Sequence, residues 1–114
     1  MFGFDFFSDG TITIDTKKYM KDLIIFPDHI ISNWRRKNGH LLTKEDIKEI
    51  IEYKPEILII GTGSMGLMKV DESLIKELKS LGIEPVIQKT ANAVIEYNGI
   101  YKDKEVVAAL HLTC

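Results

Sequence analysis

From Ile57 to the end, the chain alternates between two hydrophobic periods, and this alternation constrains its fold more than any other feature. Ile57 to Ile60 is a short apolar run of the kind that fills a strand buried on both faces. Asp71 opens a segment with helical spacing, in which Leu74, Ile75, Leu78 and Leu81 fall on one side and Gly82 provides the stop. Pro85 to Gln88 reads as the next strand. Thr90 is placed to cap a third helical segment with Ala91, Val94, Ile95 and Asn98 inward, and Val106 to Leu112 is a last, strongly apolar strand. Strands alternating with helices in this way predict an α/β domain built as stacked layers around a mixed central β-sheet, the later strands at its centre.

The first half follows another rhythm. Phe2, Phe4 and Phe6 share one face of a strand, Asp9-Gly10 supplies a turn, and Ile12 and Ile14 alternate with polar residues, which together predict an N-terminal β-hairpin. Phe7 breaks the alternation and is left on the opposite face, to meet another chain or the next layer. Leu23 to Phe26 is a further strand, stopped by Pro27. The Asn38-Gly39 step is a tight-turn signal that would fold Trp34 to Lys37 back on His40 to Leu42. Thr43 caps a helix whose first turn holds Glu45 and Asp46 and whose inner face holds Ile47, Ile50 and Ile51, with Pro55 after its end.

Composition narrows the function classes. A chain of 114 residues buries roughly two-thirds of its unfolded surface. With 45% hydrophobic residues it can hold a core, and one Cys cannot form an internal bridge. The formal charge is −2, and each half is −1: 9 basic and 10 acidic side chains in residues 1–57, 6 and 7 in residues 58–114. Neither half has the basic excess of a phosphate-backbone binder, so nucleic acid is not an expected partner. No apolar run approaches the ~20 residues that span a bilayer, so no membrane span is expected. The start of the chain shows no positive region followed by an apolar stretch, and a cytoplasmic location is the expectation. No repeat or linker interrupts residues 1–114, which read as one domain.

Few residues carry recognisable chemistry. Gly61-Thr62-Gly63-Ser64-Met65-Gly66 follows a strand, where a glycine turn can face its backbone N–H groups toward a phosphate. Two departures separate it from a dinucleotide fingerprint: the helix starts only at Asp71, and no acidic residue ends the following strand. Two readings stay open, a tight connecting turn and a small-anion or small-ligand site using Gly61, Thr62, Gly63, Ser64 and Thr90. His111 and Cys114 could pair as base and nucleophile, but a continuous strand points them to opposite faces. One Cys with His29, His40 and His111 is a thin set for a metal, and no metal or other cofactor is expected. Trp34-Arg35-Arg36-Lys37 sets an aromatic beside three cations, read either as a solvated hairpin with Trp34 as packing anchor or as a partner contact.

The ordered set Trp34, Gly39-His40, Pro55-Glu56, Ile60-Gly61-Thr62-Gly63, Thr90-Ala91-Asn92-Ala93, Tyr97-Asn98 and His111-Leu112-Thr113-Cys114 resembles the MTH-nine-three-eight-like family. That family comprises small archaeal and bacterial proteins with eukaryotic relatives, among them an adipogenesis-associated protein and a mitochondrial complex I assembly factor. The resemblance implies a three-layer α/β fold with one core strand of a mixed sheet reversed. It also implies a non-catalytic binding or assembly-factor-like domain, with a protein partner or a second copy of the chain as its target. Which strand is reversed decides whether His111 stands beside the glycine loop or away from it.

Overall fold

The computed structural model describes residues 3–8 and 10–113. Phe2, Asp9 and Cys114 lie outside the described residues, as do the side chains of Phe4 and Phe6, and with them the expected aromatic face, half of the first turn and the terminal thiol.

The N-terminal hairpin pairs β1 (Phe4–Ser8) with β2 (Thr11–Ile14) in antiparallel register. A third strand, β3 (Lys17–Tyr19), extends it through the two-residue turn Asp15-Thr16. Both turn residues have positive φ, 48° and 67°, the backbone that twists correctly into a hairpin and that favours Asn-Gly or Asp-Gly. Thr16 is β-branched, and the left-handed region costs such a residue about 1 kcal/mol or more. Thr16→Gly relieves that strain against a smaller loss of chain entropy, so it is expected to raise the thermal midpoint by about 3 °C. A melting curve checks this; an unchanged or lower midpoint overturns it.

The remaining elements are β4 (Leu23–Ile25), β5 (Ile30–Ser32), β6 (Leu41–Leu42), a 3-10 turn over Lys44–Ile47 leading into α1 (Lys48–Tyr53), β7 (Ile57–Thr62), β8 (Lys69–Val70), α2 (Glu72–Ser80), β9 (Glu84–Gln88), α3 (Thr90–Ile100) and β10 (Val106–His111). Five of these strands form the central sheet in the order β5-β4-β10-β7-β9. β10, β7 and β9 are parallel, while β4 and β5 run antiparallel, so the reversed core strand is β4. Alternate side chains of the parallel strands then serve two cores. Leu58, Ile60, Val107 and Ala109 pack with Ile47 and Ile50 around α1 and with Leu74 and Leu78 of α2. Ile59, Ala108 and Leu110 pack with Ala93, Val94 and Tyr97 of α3 and with Ile12 and Ile14 of the N-terminal sheet. Each fully buried Leu or Ile contributes about 1.5–3 kcal/mol, which is why the apolar runs are continuous here and alternating in β2. Phe7 is partly buried against the second core, so it meets the next layer.

Three local expectations change. Trp34 to Lys37 does not fold back on His40 to Leu42 as a hairpin: the one bridge there joins Asn38 to Leu41, and Leu41–Leu42 pairs in parallel with β8. The reason is burial. Leu42 enters the first core, His40 O accepts from Lys69 N at 2.7 Å, and Trp34 turns inward to donate from Nε1 to Asp46 O at 3.0 Å. Thr90 is the first helical residue of α3 rather than its cap, which is Lys89. The inward face of α3 is Ala93, Val94 and Tyr97; Ala91, Ile95 and Asn98 are exposed. Apolar residues surround this helix on all sides, so periodicity alone does not choose its buried face. By contrast, Asp71 caps α2 as expected, accepting from Ser73 N at 3.1 Å.

Candidate functional site at the carboxyl edge of the sheet

Because β7, β9 and β10 are parallel, their carboxyl ends share one edge. The chain leaves β7 toward α2 on one face and leaves β9 toward α3 on the other, which makes the gap between those two strand ends a topological switch point. Gly61, Thr62, Gly63, Ser64 and Thr90 all lie around this gap, and β10 brings His111 to the same edge, level with Thr62.

The glycine loop is sewn to its neighbours. Thr90 is fully buried; its Oγ1 accepts from Gly63 N at 2.8 Å and donates to His111 O at 2.5 Å. Thr62 Oγ1 donates to Gln88 O at 3.1 Å, and Ser64 Oγ donates to Leu112 O at 3.2 Å. The three hydroxyls are therefore committed to backbone carbonyls of β9 and of the segment ending β10. Gly63 and Gly66 have positive φ, 106° and 70°, which suits a turn that closes through Gly66 N to Gly63 O. Near this gap Gln88 Oε1 is buried with no hydrogen-bond partner among the described residues.

On the other side of β10 lies a cluster of charges that sequence reading passed over. β4 runs opposite to β10, with Leu23 level with Leu110, so the residue just before β4 arrives beside the end of β10. That residue is Asp22. Its Oδ1 accepts from Leu112 N at 2.8 Å, and its Oδ2 accepts from Arg36 Nη1 and from His111 Nδ1, both at 2.7 Å. His111 Nδ1 carries one hydrogen at most, and the carboxylate is its natural acceptor. Arg36 Nη2, 3.0 Å from the same nitrogen, directs its hydrogen to Gly39 O at 3.2 Å instead. The Arg36 side chain is 4% exposed and its guanidinium stacks 4.8 Å from the Trp34 ring. Burial pushes the Asp22 carboxyl up, and the hydrogen bonds from Leu112, His111 and Arg36 outweigh it, so Asp22 titrates below 3.8. His111 Nε2 and Arg36 Nε are buried without a hydrogen-bond partner among the described residues.

Arg36 had a signal in the sequence. Trp34 and Arg36 are two residues apart in extended chain, so a buried Trp34 carries Arg36 to the same side; of the three adjacent cations, Arg35 and Lys37 remain exposed. Asp22 had none, because its role depends on the direction of β4.

Above the cluster is a shallow cleft of about 310 Å³ lined by Met20, Lys21, Asp22, Asn33, Trp34, Arg35 and Thr113. Met20 is 71% exposed there, and Met65 and Leu67, 69% and 47% exposed, project from the loop that Ser64 fastens to Leu112. Among the described residues, no group of three His, Cys, Asp or Glu could hold a metal ion, and no helix is long and apolar enough to cross a membrane.

Comparison with known proteins places this architecture. The family described as protein of unknown function (DUF498/DUF598) matches residues 4–111, and the chain belongs to that family, whose structures are Mth938-like domains. MT938 is 26% identical, with all of both chains covered and a TM-score of 0.81. An outer membrane protein from Bartonella henselae is also 26% identical, covering 97% of this chain and 95% of that one at a TM-score of 0.81. The conserved hypothetical protein PH1505 from Pyrococcus horikoshii OT3 shares the fold at 21% identity, with 97% and 98% covered and a TM-score of 0.82.

Proposed function

We propose that this protein is a non-catalytic binding domain, assembly-factor-like in action, whose contact surface is the carboxyl edge of the central sheet. The observation that carries the reading is the set of exposed apolar side chains gathered there, Met20, Met65 and Leu67, beside the cations Lys21 and Arg35. Methionines suit such a surface because an unbranched thioether adapts to many partner shapes. A protein face carrying apolar and acidic groups is the matching partner, and the expected working compartment is the cytoplasm. Affinity isolation from the native cell, run in parallel with a Met65→Ser, Leu67→Ser double variant, tests this. A partner held by the parent and lost by the variant is the expected result. Equal recovery from both, or a chain that stays monomeric and recovers nothing, counts against it.

A second reading is a small-anion or small-molecule site at Gly61, Thr62, Gly63, Ser64 and Thr90. Two features favour it: these residues border the switch-point gap, and the buried, unpartnered Gln88 Oε1 lies next to it. Titrating phosphate into the chain while following the backbone amides of Gly63 and Ser64 by NMR tests it, and amides that stay in place at millimolar phosphate exclude a phosphate site.

A further inference from the structure

The sequence contains the same two-residue step twice, Asn38-Gly39 and Asn98-Gly99, and the fold puts the two in opposite chemical situations. An Asn side chain is attacked by the backbone nitrogen of the next residue when three conditions hold. The side-chain carbon must lie over that nitrogen, the nitrogen must be free to leave its hydrogen bond, and the following residue must present no side chain to block the approach.

Asn38 and Gly39 are both exposed, in the loop between Trp34 and β6. Asn38 Oδ1 accepts from His40 N at 2.9 Å, an Asx-type turn that draws the side-chain carbonyl forward over the Gly39 peptide and polarises it. No atom lies within 4 Å of the point where a Gly39 side chain would begin, so the space needed for ring closure is open. Asn98-Gly99 lies in the last turns of α3, where the helix binds the backbone N–H groups to carbonyls four residues back; Tyr101 N to Tyr97 O, at 2.9 Å, shows the ladder intact past Gly99. Helical backbone also holds the Asn98 side chain away from the Gly99 nitrogen.

We propose that Asn38 is a site of spontaneous deamidation in the folded protein and that Asn98 is held inert by its helix. The Gly39 amide nitrogen gives up its proton to solvent base and its electron pair forms a bond to Asn38 Cγ. The Cγ–Nδ2 bond breaks and ammonia leaves, closing a succinimide. Water then adds across one of the two imide C–N bonds, giving an aspartyl or an isoaspartyl residue. Either product places a new carboxylate two residues from Arg36, whose Nη2 donates to Gly39 O.

The test is incubation of the native chain at mildly alkaline pH, followed by trypsin and mass spectrometry. Cleavage after Lys37 and Lys44 isolates Asn38, and cleavage after Lys89 and Lys102 isolates Asn98. Isoaspartyl methyltransferase serves as an independent label. In the folded chain, conversion at Asn38 is expected to exceed that at Asn98 by about tenfold or more, because Asn98 reacts only after local opening of α3. In urea the two rates are expected to converge. Gly39→Ala, which fits the open space, is expected to suppress the Asn38 product. Equal conversion of both sites in the folded chain overturns the proposal, as does an Asn38 that stays intact when folded but converts in urea.

Discussion

Asp22→Ala is expected to destabilise the protein by about 3–5 kcal/mol, the largest effect of any single polar substitution considered. The carboxylate is the one acceptor shared by Arg36, His111 and Leu112 N, and the Arg36 side chain is almost wholly removed from water. Deleting it leaves a buried cation with Gly39 O as its remaining acceptor, and a buried backbone N–H with none. Since a domain of this size is stable by only about 5–15 kcal/mol, the loss should be obvious in chemical denaturation. Adding Arg36→Met to Asp22→Ala is expected to recover part of it, because the orphaned charge goes too. A cost of about 1 kcal/mol or less for Asp22→Ala, the range of exposed pairs, would mean the cluster is solvated and not structural.

The same cluster gives the stability an acid limb. Asp22 has a folded-state pKa depressed below 3.8, so its contribution is fully present above 3.8 and disappears as pH falls through the folded-state value. Asp22→Asn lacks that contribution at every pH. The stability gap between parent and Asp22→Asn is therefore expected to be constant near neutrality and to close below pH 3.8. A gap that persists into strong acid would refute this assignment.

Gly61→Val is the second large effect. A side chain beginning at Gly61 would lie 2.8 Å from Thr90 Oγ1, 2.9 Å from Leu110 Cδ2 and 3.2 Å from Thr90 Cα. The leucine tip can shift, but the Thr90 backbone is the start of α3 and its hydroxyl holds Gly63 N and His111 O together. Gly61→Ala is expected to cost about 1–3 kcal/mol and Gly61→Val about 3 kcal/mol or more, by overpacking. Gly39→Ala, with open space around it, is the control and should be near neutral. If Gly61→Ala proves equally mild in a denaturation curve, close approach is not the reason for glycine there.

Both effects act at one place, the last residues of β10. Thr90 and Ser64 hold the carbonyls of His111 and Leu112 from the glycine loop and α3; Asp22 holds Leu112 N and the His111 ring from the other side. The surface proposed to meet a partner is thus built over a rigid seam. Substitutions at Met65 and Leu67 can alter binding without touching it, which makes loss of binding separable from loss of fold.

The layered α/β architecture could be read from period alone. Ile57 to Ile60 and Val106 to Leu112 are too apolar to be anything but strands buried on both faces, and Asp71 with Gly82 marks the limits of a helix. Gly61 to Ser64 and Thr90 could be picked out because glycines and hydroxyls after a buried strand are unusual residues in a predictable position. The phase of α3 could not, since its hydrophobic residues surround the helix and only packing against Ile12, Ile14 and the sheet selects Tyr97 over Ile95. Nor could the use of Thr90, whose hydroxyl looks like a cap and is instead a bridge between strands. The sequence by itself determined the strands and helices and their order, because each is set by contacts within a few residues. Only the tertiary structure decided that β4 is the reversed strand, that Asp22 therefore meets Arg36 and His111, and that one Asn-Gly step lies open while its twin is wound into a helix. Those outcomes depend on which distant segments become neighbours, and a local pattern of residues does not carry that information.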